Sequence, residues 1–150
     1  MRELTVPTAD DMRALGRRLA AQLRPGDLVV LTGDLGAGKT TLVQGLADAL
    51  GVTEPVLSPT FVIARVYRSG RLPLVHVDAY RLGSAVEVED LDLDASVEES
   101  VTVVEWGEGL VDDLATDRLV LRILRSDDAA DETRRVGVAA VGPRWSDITV

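Results

Sequence analysis

The sequence predicts an α/β fold, a single three-layer domain over residues 1–150 with a mixed, mainly parallel sheet and antiparallel late strands. Three observations carry this expectation. In the first third of the chain, apolar β-branched runs alternate with segments of helical periodicity. The run Asp27 to Thr32 is almost wholly apolar, as a strand covered on both faces must be. The later apolar runs are separated by short polar links, which is how antiparallel strand pairs are spelled.

Taken in order, residues 3–6 read as a short strand. Thr8 can cap a helix from Ala9 to Leu23, because Met12, Leu15, Leu19 and Leu23 recur on one face. Arg24-Pro25-Gly26 ends that helix, and the strand Asp27 to Thr32 follows. A second helix runs from Lys39 to Leu50 with Leu42, Val43, Leu46 and Leu50 inward, and Gly51 stops it. Val62 to Arg68 and Leu72 to Val77 form an antiparallel hairpin turning at Ser69-Gly70, with Pro73 marking an edge strand or an irregular start. Ser84 with Glu87 opens a short helix through a capping box. Val101 to Val104 is a buried strand, Leu110 to Leu114 a short helix, and Arg118 to Leu124 and Thr133 to Val141 two late strands around Ser126 to Asp131. No internal repeat or linker divides the chain.

Between the second strand and the second helix lies Gly33-Asp34-Leu35-Gly36-Ala37-Gly38-Lys39-Thr40-Thr41. This is the spelling of a phosphate-binding loop, and it has the strand before and the helix after that its mechanism requires. Glycines let backbone N–H groups turn inward around polyphosphate oxygens, Lys39 brings positive charge to the β- and γ-phosphates, and the Thr40 hydroxyl is suited to Mg²⁺. The first turn of the helix adds free N–H groups and the positive end of its dipole. Lys39 is the only lysine, against 15 arginines. Lysine is thus kept for the one place where a compact ammonium on a flexible stem suits phosphates.

The bulk composition narrows the function classes. A 46% hydrophobic and 27% charged chain is an ordinary globular one. Its net charge of −9 argues against a self-sufficient nucleic-acid surface, so any nucleic acid is expected to be held by a partner. With no cysteine there are no disulfides and no thiolate metal sites. No apolar run approaches the roughly 18 residues of a membrane span, and Met1-Arg2-Glu3-Leu4 does not begin a signal peptide. The expectation is a cytoplasmic chain without membrane contact.

Hydrolysis needs more than the loop: a carboxylate to organise the metal and a group to position water. Asp78 closes the apolar strand Val75-His76-Val77-Asp78, as a Walker B aspartate does; the competing reading is a turn cap before Tyr80. Glu105 likewise closes Val101-Thr102-Val103-Val104, suited to bind Mg²⁺ or to orient water, or else a surface residue before a helix. Both sit at strand carboxyl ends, where ligands gather in open α/β sheets. Thr60 in Ser58-Pro59-Thr60-Phe61 suits a switch-like loop over the γ-phosphate and equally an ordinary turn. Trp106 suits nucleotide stacking and equally a core or rim role. His76, the only histidine, sits between apolar residues of a strand and reads as a packed, hydrogen-bonded side chain before a catalytic base. The stretch Glu87 to Glu99 holds seven carboxylates and no basic residue, either a solvated connector or a surface for a basic partner.

Taken together, the loop, Ser58-Pro59-Thr60-Phe61, His76-Val77-Asp78-Ala79-Tyr80-Arg81-Leu82 and Val104-Glu105-Trp106-Gly107-Glu108 resemble, in order and spacing, the bacterial TsaE (YjeE) family. The resemblance implies a cytoplasmic P-loop ATPase of tRNA N6-threonylcarbamoyladenosine biosynthesis, weak alone and stimulated by its partners. It works with two partner proteins of the threonylcarbamoyl-transfer complex and meets tRNA only through them. It also implies ATP and Mg²⁺ as cofactors, with Thr40 and Glu105 at the ion, Asp78 in the Walker B position, Thr60 in the switch-like loop and Trp106 beside the nucleotide. The phosphate contacts fall on Gly33, Asp34, Gly36, Ala37, Gly38, Lys39, Thr40 and Thr41. The link Asp127-Asp128 and the tail Gly142-Pro143-Arg144-Trp145 match none of the family's motifs.

Two other readings stand beside this one. A small-molecule kinase shares the loop but needs an acceptor pocket and an arginine-bearing lid, for which there is little room. A nucleotide-sensing interaction module would bind ATP with slow or incidental turnover. A GTPase is excluded in its usual form, because the guanine-selecting Asn-Lys-x-Asp motif needs an asparagine and the chain has none.

Overall fold

A computed structural model describes residues 2–33, 37–56, 64–78, 99–105, 117–128 and 130–148, with backbone only at Ala64 and Asp78. Its strands are β1 (Arg2–Val6), β2 (Leu28–Gly33), β3 (Ala64–Tyr67), β4 (Leu74–Asp78), β5 (Val101–Glu105), β6 (Arg118–Arg125) and β7 (Arg134–Val141). Its helices are α1 (Ala9–Ala20) and α2 (Lys39–Leu50), and a 3-10 turn follows at Pro143–Trp145.

All seven strands join one sheet in the order β1-β7-β6-β2-β5-β4-β3. The four inner strands β6, β2, β5 and β4 run parallel, β7 and β3 flank them antiparallel, and β1 pairs antiparallel with β7. The α/β class with a mixed sheet and antiparallel late strands is therefore as expected. The β3–β4 hairpin is also as expected, but β4 is an inner strand and β3 is the edge. Pro73 lies just outside β4, where its missing N–H costs no ladder bond and its carbonyl accepts from the Val101 N–H.

Strand β2 owes its position to its composition. Leu28, Val29, Val30 and Leu31 are all fully buried, which only a central strand covered on both faces allows. Register puts Val29 and Leu31 on one face with Val103, Leu119, Leu121, Ile123, Val136 and Val138, and this face packs against α1 and α2. Leu28, Val30, Val75, Val77, Thr102 and Val104 point to the opposite face and are buried too.

The Thr8 hydroxyl caps α1 by accepting from the Asp11 N–H, and Asp10 and Asp11 at its start and Arg17 and Arg18 at its end complement the dipole. The α-helix ends at Ala20, short of Leu23, and the Ala21 N–H makes the last i to i−4 bond, to Arg17. Gln22 and Leu23 continue with i to i−3 bonds, so the apolar face runs on in a tighter turn and Leu23 is still buried. Helix α2 starts and stops where the sequence indicates, ending on left-handed Gly51 (φ 87°).

The two helices touch backbone to backbone. A Cβ on Gly45 would stand 2.0 Å from the Arg13 carbonyl oxygen, and one on Gly16 would stand 2.2 Å from that of Leu42. Only glycine permits this approach. It lets α1 lie close along α2 and brings Met12 beside Gly38, at the start of α2.

Candidate functional site

The β2–α2 connection leaves the carboxyl end of β2 at the point where the chain changes direction across the sheet, with β5 on one side and β6 on the other. In open α/β sheets such a switch point opens a crevice for ligands. Gly33 ends the strand with φ 152°, its backbone so close to β6 that a Cβ would lie 2.6 Å from the Ile123 carbonyl oxygen. Gly38 (φ 117°) caps α2 without a side chain, leaving the first N–H groups of the helix facing the loop. Lys39 is 5% exposed and donates to the Gly33 carbonyl, so its ammonium lies back across the loop it belongs to. Ala37 is buried, and Thr40 and Thr41 are half-buried on the first turn of α2.

Both strand-end carboxylates lie at this edge. Glu105 is the last residue of β5 and pairs in register with Leu31 of β2 on one side and Asp78 of β4 on the other. Asp78, Glu105 and the Leu31–Gly33 end of β2 thus occupy three adjacent strands at one end of the sheet. Glu105 is 4% exposed. Its Oε2 is 2.8 Å from Nε2 of His76, which is fully buried on the neighbouring strand. The expected reading of His76 as a packed, hydrogen-bonded side chain matches this, and its partner is the candidate carboxylate.

A further residue supports the loop that the sequence did not single out. Arg134, first in β7, donates from Nε to the Ala37 carbonyl at 3.0 Å and from Nη1 to the carbonyls of Asp131 and Thr133. The preceding turn sets up this reach. Asp131 accepts from the Thr133 N–H, a contact that also holds its carboxyl below the usual carboxylate range. The signal available was the arginine pair opening a late strand; that the strand's start lies beside the loop is a matter of sheet order, which spacing does not encode.

The tail without a motif has a structural role. Arg144 binds the Asp27 carboxylate and the Gln22 carbonyl, its N–H donates to Asp117, and its guanidinium lies 4.3 Å from the centre of the fully buried Trp145 ring. This clasp closes the amino end of β2, opposite the loop.

Asp34, Gly36, Thr60, Trp106 and the Asp78 side chain lie outside the described residues, as do the acidic stretch up to residue 98 and the two short helices expected after Ser84 and over 110–114. Among the described residues, no group of three or more potential ligands is gathered for a metal, and no helix is long and apolar enough to cross a membrane.

The model of the family described as Threonylcarbamoyl adenosine biosynthesis protein TsaE matches residues 6–136, from the end of β1 into β7. The chain belongs to the TsaE family. A relative from Streptomyces coelicolor named tRNA threonylcarbamoyladenosine biosynthesis protein TsaE is 63% identical over 139 residues, covering 90% of this chain and 94% of its own. A Bacillus subtilis relative of the same name is 42% identical over 137 residues, covering 91% and 84%. The crystal structure of Bacillus subtilis YdiB superposes with a TM-score of 0.77 at 35% identity, over 96% of this chain and 88% of that one. The match takes in the loop, Asp78 and Glu105, and also Arg134, but stops before the Arg144 clasp.

Proposed function

We propose that this TsaE-family chain binds ATP with Mg²⁺ at the β2–α2 loop and hydrolyses it in service of tRNA N6-threonylcarbamoyladenosine formation. On this reading two partner proteins of the threonylcarbamoyl-transfer machinery accelerate a slow intrinsic turnover, and tRNA is met only through them. The observation that carries the reading is the buried ammonium of the sole lysine, folded onto the carbonyl of Gly33, with a buried carboxylate one strand away. Burying a lysine in a loop of glycines has a large desolvation cost that polyphosphate oxygens offset.

The residues present suit the ion. Thr40, Asp78 and Glu105 offer only hydroxyl and carboxylate oxygens, the donors a hard divalent cation takes, and Glu105 is the one acid in a wholly buried strand. These three would hold Mg²⁺. When bound it supplies charge neutralisation at the β- and γ-phosphate oxygens. The chain does the rest. The N–H groups from Gly33 to Thr41 cradle the phosphates, and Lys39 exchanges the Gly33 carbonyl for a phosphate oxygen. Glu105 orients water toward the γ-phosphorus and accepts its proton. The P–O bond to ADP breaks, and ADP leaves with the electron pair.

The test is phosphate release from ATP, with and without the partner proteins, in the parent, Lys39→Ala and Glu105→Ala. We expect slow release that partners raise and both substitutions suppress. Undiminished release in both variants would remove the assignment. Tight Mg-ATP binding with no release under any condition would leave a nucleotide sensor.

A further inference from the structure

We propose that His76 is a positioning residue for Glu105: its Nε2–H holds one carboxylate oxygen and leaves the other for the ion or the attacking water. The inference rests on the hydrolytic reading above and assigns a role to a residue that reading does not use.

The geometry comes from the sheet. His76 is in register with Val103 of β5, two residues before Glu105, so the imidazole reaches along the strand to the carboxylate at its end. Residues in register on parallel strands face the same side, so both side chains stand on the face that packs against α1 and α2. The His76 side chain is wholly buried and that of Glu105 is 6% exposed. Both groups are thus withdrawn from bulk solvent, which favours their bond to each other.

The other ring nitrogen identifies the tautomer. Nδ1 of His76 is buried and has no hydrogen-bond partner among the described residues. A proton there would be a buried donor left unsatisfied, while the Nε2 lone pair would face a carboxylate oxygen. The neutral Nε2–H form avoids both, because Nδ1 then carries only a lone pair, which is cheaper to leave bare. A donor fixed in this way restricts the carboxylate to one rotamer. The arrangement parallels the partner groups that orient carboxylates and histidines around metal centres, whose loss typically reduces activity about 10–100-fold.

A purely structural pair would tie β4 to β5 and do nothing more, so the test must separate the two roles. Because His76 is the only histidine, a ¹⁵N-resolved spectrum of the imidazole contains a single ring. Without nucleotide, we expect a fixed Nε2–H tautomer in the parent and averaging of the two tautomers in Glu105→Ala. In turnover, His76→Phe should lower kcat about 10–100-fold with little change in KM for ATP. His76→Gln, whose amide nitrogen can stand near the place of Nε2, should recover most of that loss. Thermal melting of both variants gives the structural contribution separately. An Nδ1–H ring, or kcat in His76→Phe equal to the parent's, overturns the proposal. So does a loss in kcat that His76→Gln shares in full while its melting temperature matches the parent's. Absence of turnover in the parent, with and without partners, overturns the hydrolytic reading itself and is distinguished by the parent failing along with its variants.

Discussion

Arg144 closes a fork on Asp27, its Nε and Nη2 donating to the two carboxylate oxygens at 2.8 and 2.7 Å across 117 residues of sequence. Asp27 also accepts from the Arg24 N–H, and it is 5% exposed. The tail therefore fixes the point at which the chain leaves α1 and enters β2.

Removing one partner of such a pair leaves a buried charge uncompensated. Arg144→Ala is expected to destabilise the fold by about 2–3 kcal/mol, below the full range for buried pairs because the arginine is partly exposed. In a chain of this size that lowers the melting temperature by roughly 4–12 °C. A double variant, Asp27→Ala with Arg144→Ala, should fall short of the sum of the single losses. Additive losses would mean that the two residues act independently.

Gly45→Ala tests the contact of the helices. Its methyl would meet the Arg13 carbonyl 2.0 Å away, and neither backbone can yield without parting α1 from α2. A cost of about 1–3 kcal/mol or more is expected by calorimetry, although alanine normally favours a helix. A neutral or stabilising effect would show that the helices are not held this close.

Gly33→Ala acts where the loop leaves the sheet, at the pairing of β2 with β6. The new Cβ would press on the Ile123 carbonyl at a backbone angle that side chains rarely adopt. Nucleotide affinity, followed by titration calorimetry with ATP and Mg²⁺, is expected to fall at least about tenfold, as a displacement of the phosphate cradle by tenths of an ångström implies. Unchanged affinity would separate Gly33 from the phosphates.

Arg134→Met removes the bonds to the carbonyls of Ala37, Asp131 and Thr133 and keeps an unbranched apolar stem. One hydrogen bond is worth about 1 kcal/mol, so KM for ATP should rise roughly fivefold with kcat largely preserved. A drop in kcat alone would instead place Arg134 in the chemical step.

The central elements were legible because their physics is local. A glycine-rich run between an apolar segment and a helical period marks a strand-to-helix turn, and a carboxylate ending an apolar run must emerge at a sheet edge. That is why the position of Asp78 and Glu105 at strand ends could be read without coordinates. The partner of Glu105 was hidden: that β4 lies beside β5 is a fact of strand order, and His76 alone only announces a buried, bonded ring. Gly16 and Gly45 were hidden too, since a glycine within a helical pattern does not say which backbone will approach it. The Arg144 clasp has neither period nor motif. Its partner is distant in sequence, and the signal lies only in the fold.

The order of strands has a consequence for the newborn chain. Strand β2 finds its neighbours only in β5 and β6, and the loop's outer tether arrives later still with Arg134. Synthesis proceeds from the amino end, so Gly33 to Thr41 leaves the ribosome well before the strands that frame it, and pairings so distant in sequence form slowly. A half-made chain therefore carries residues 33–41 before the strands that frame them exist. On the proposed function, truncated or stalled chains should not sequester ATP.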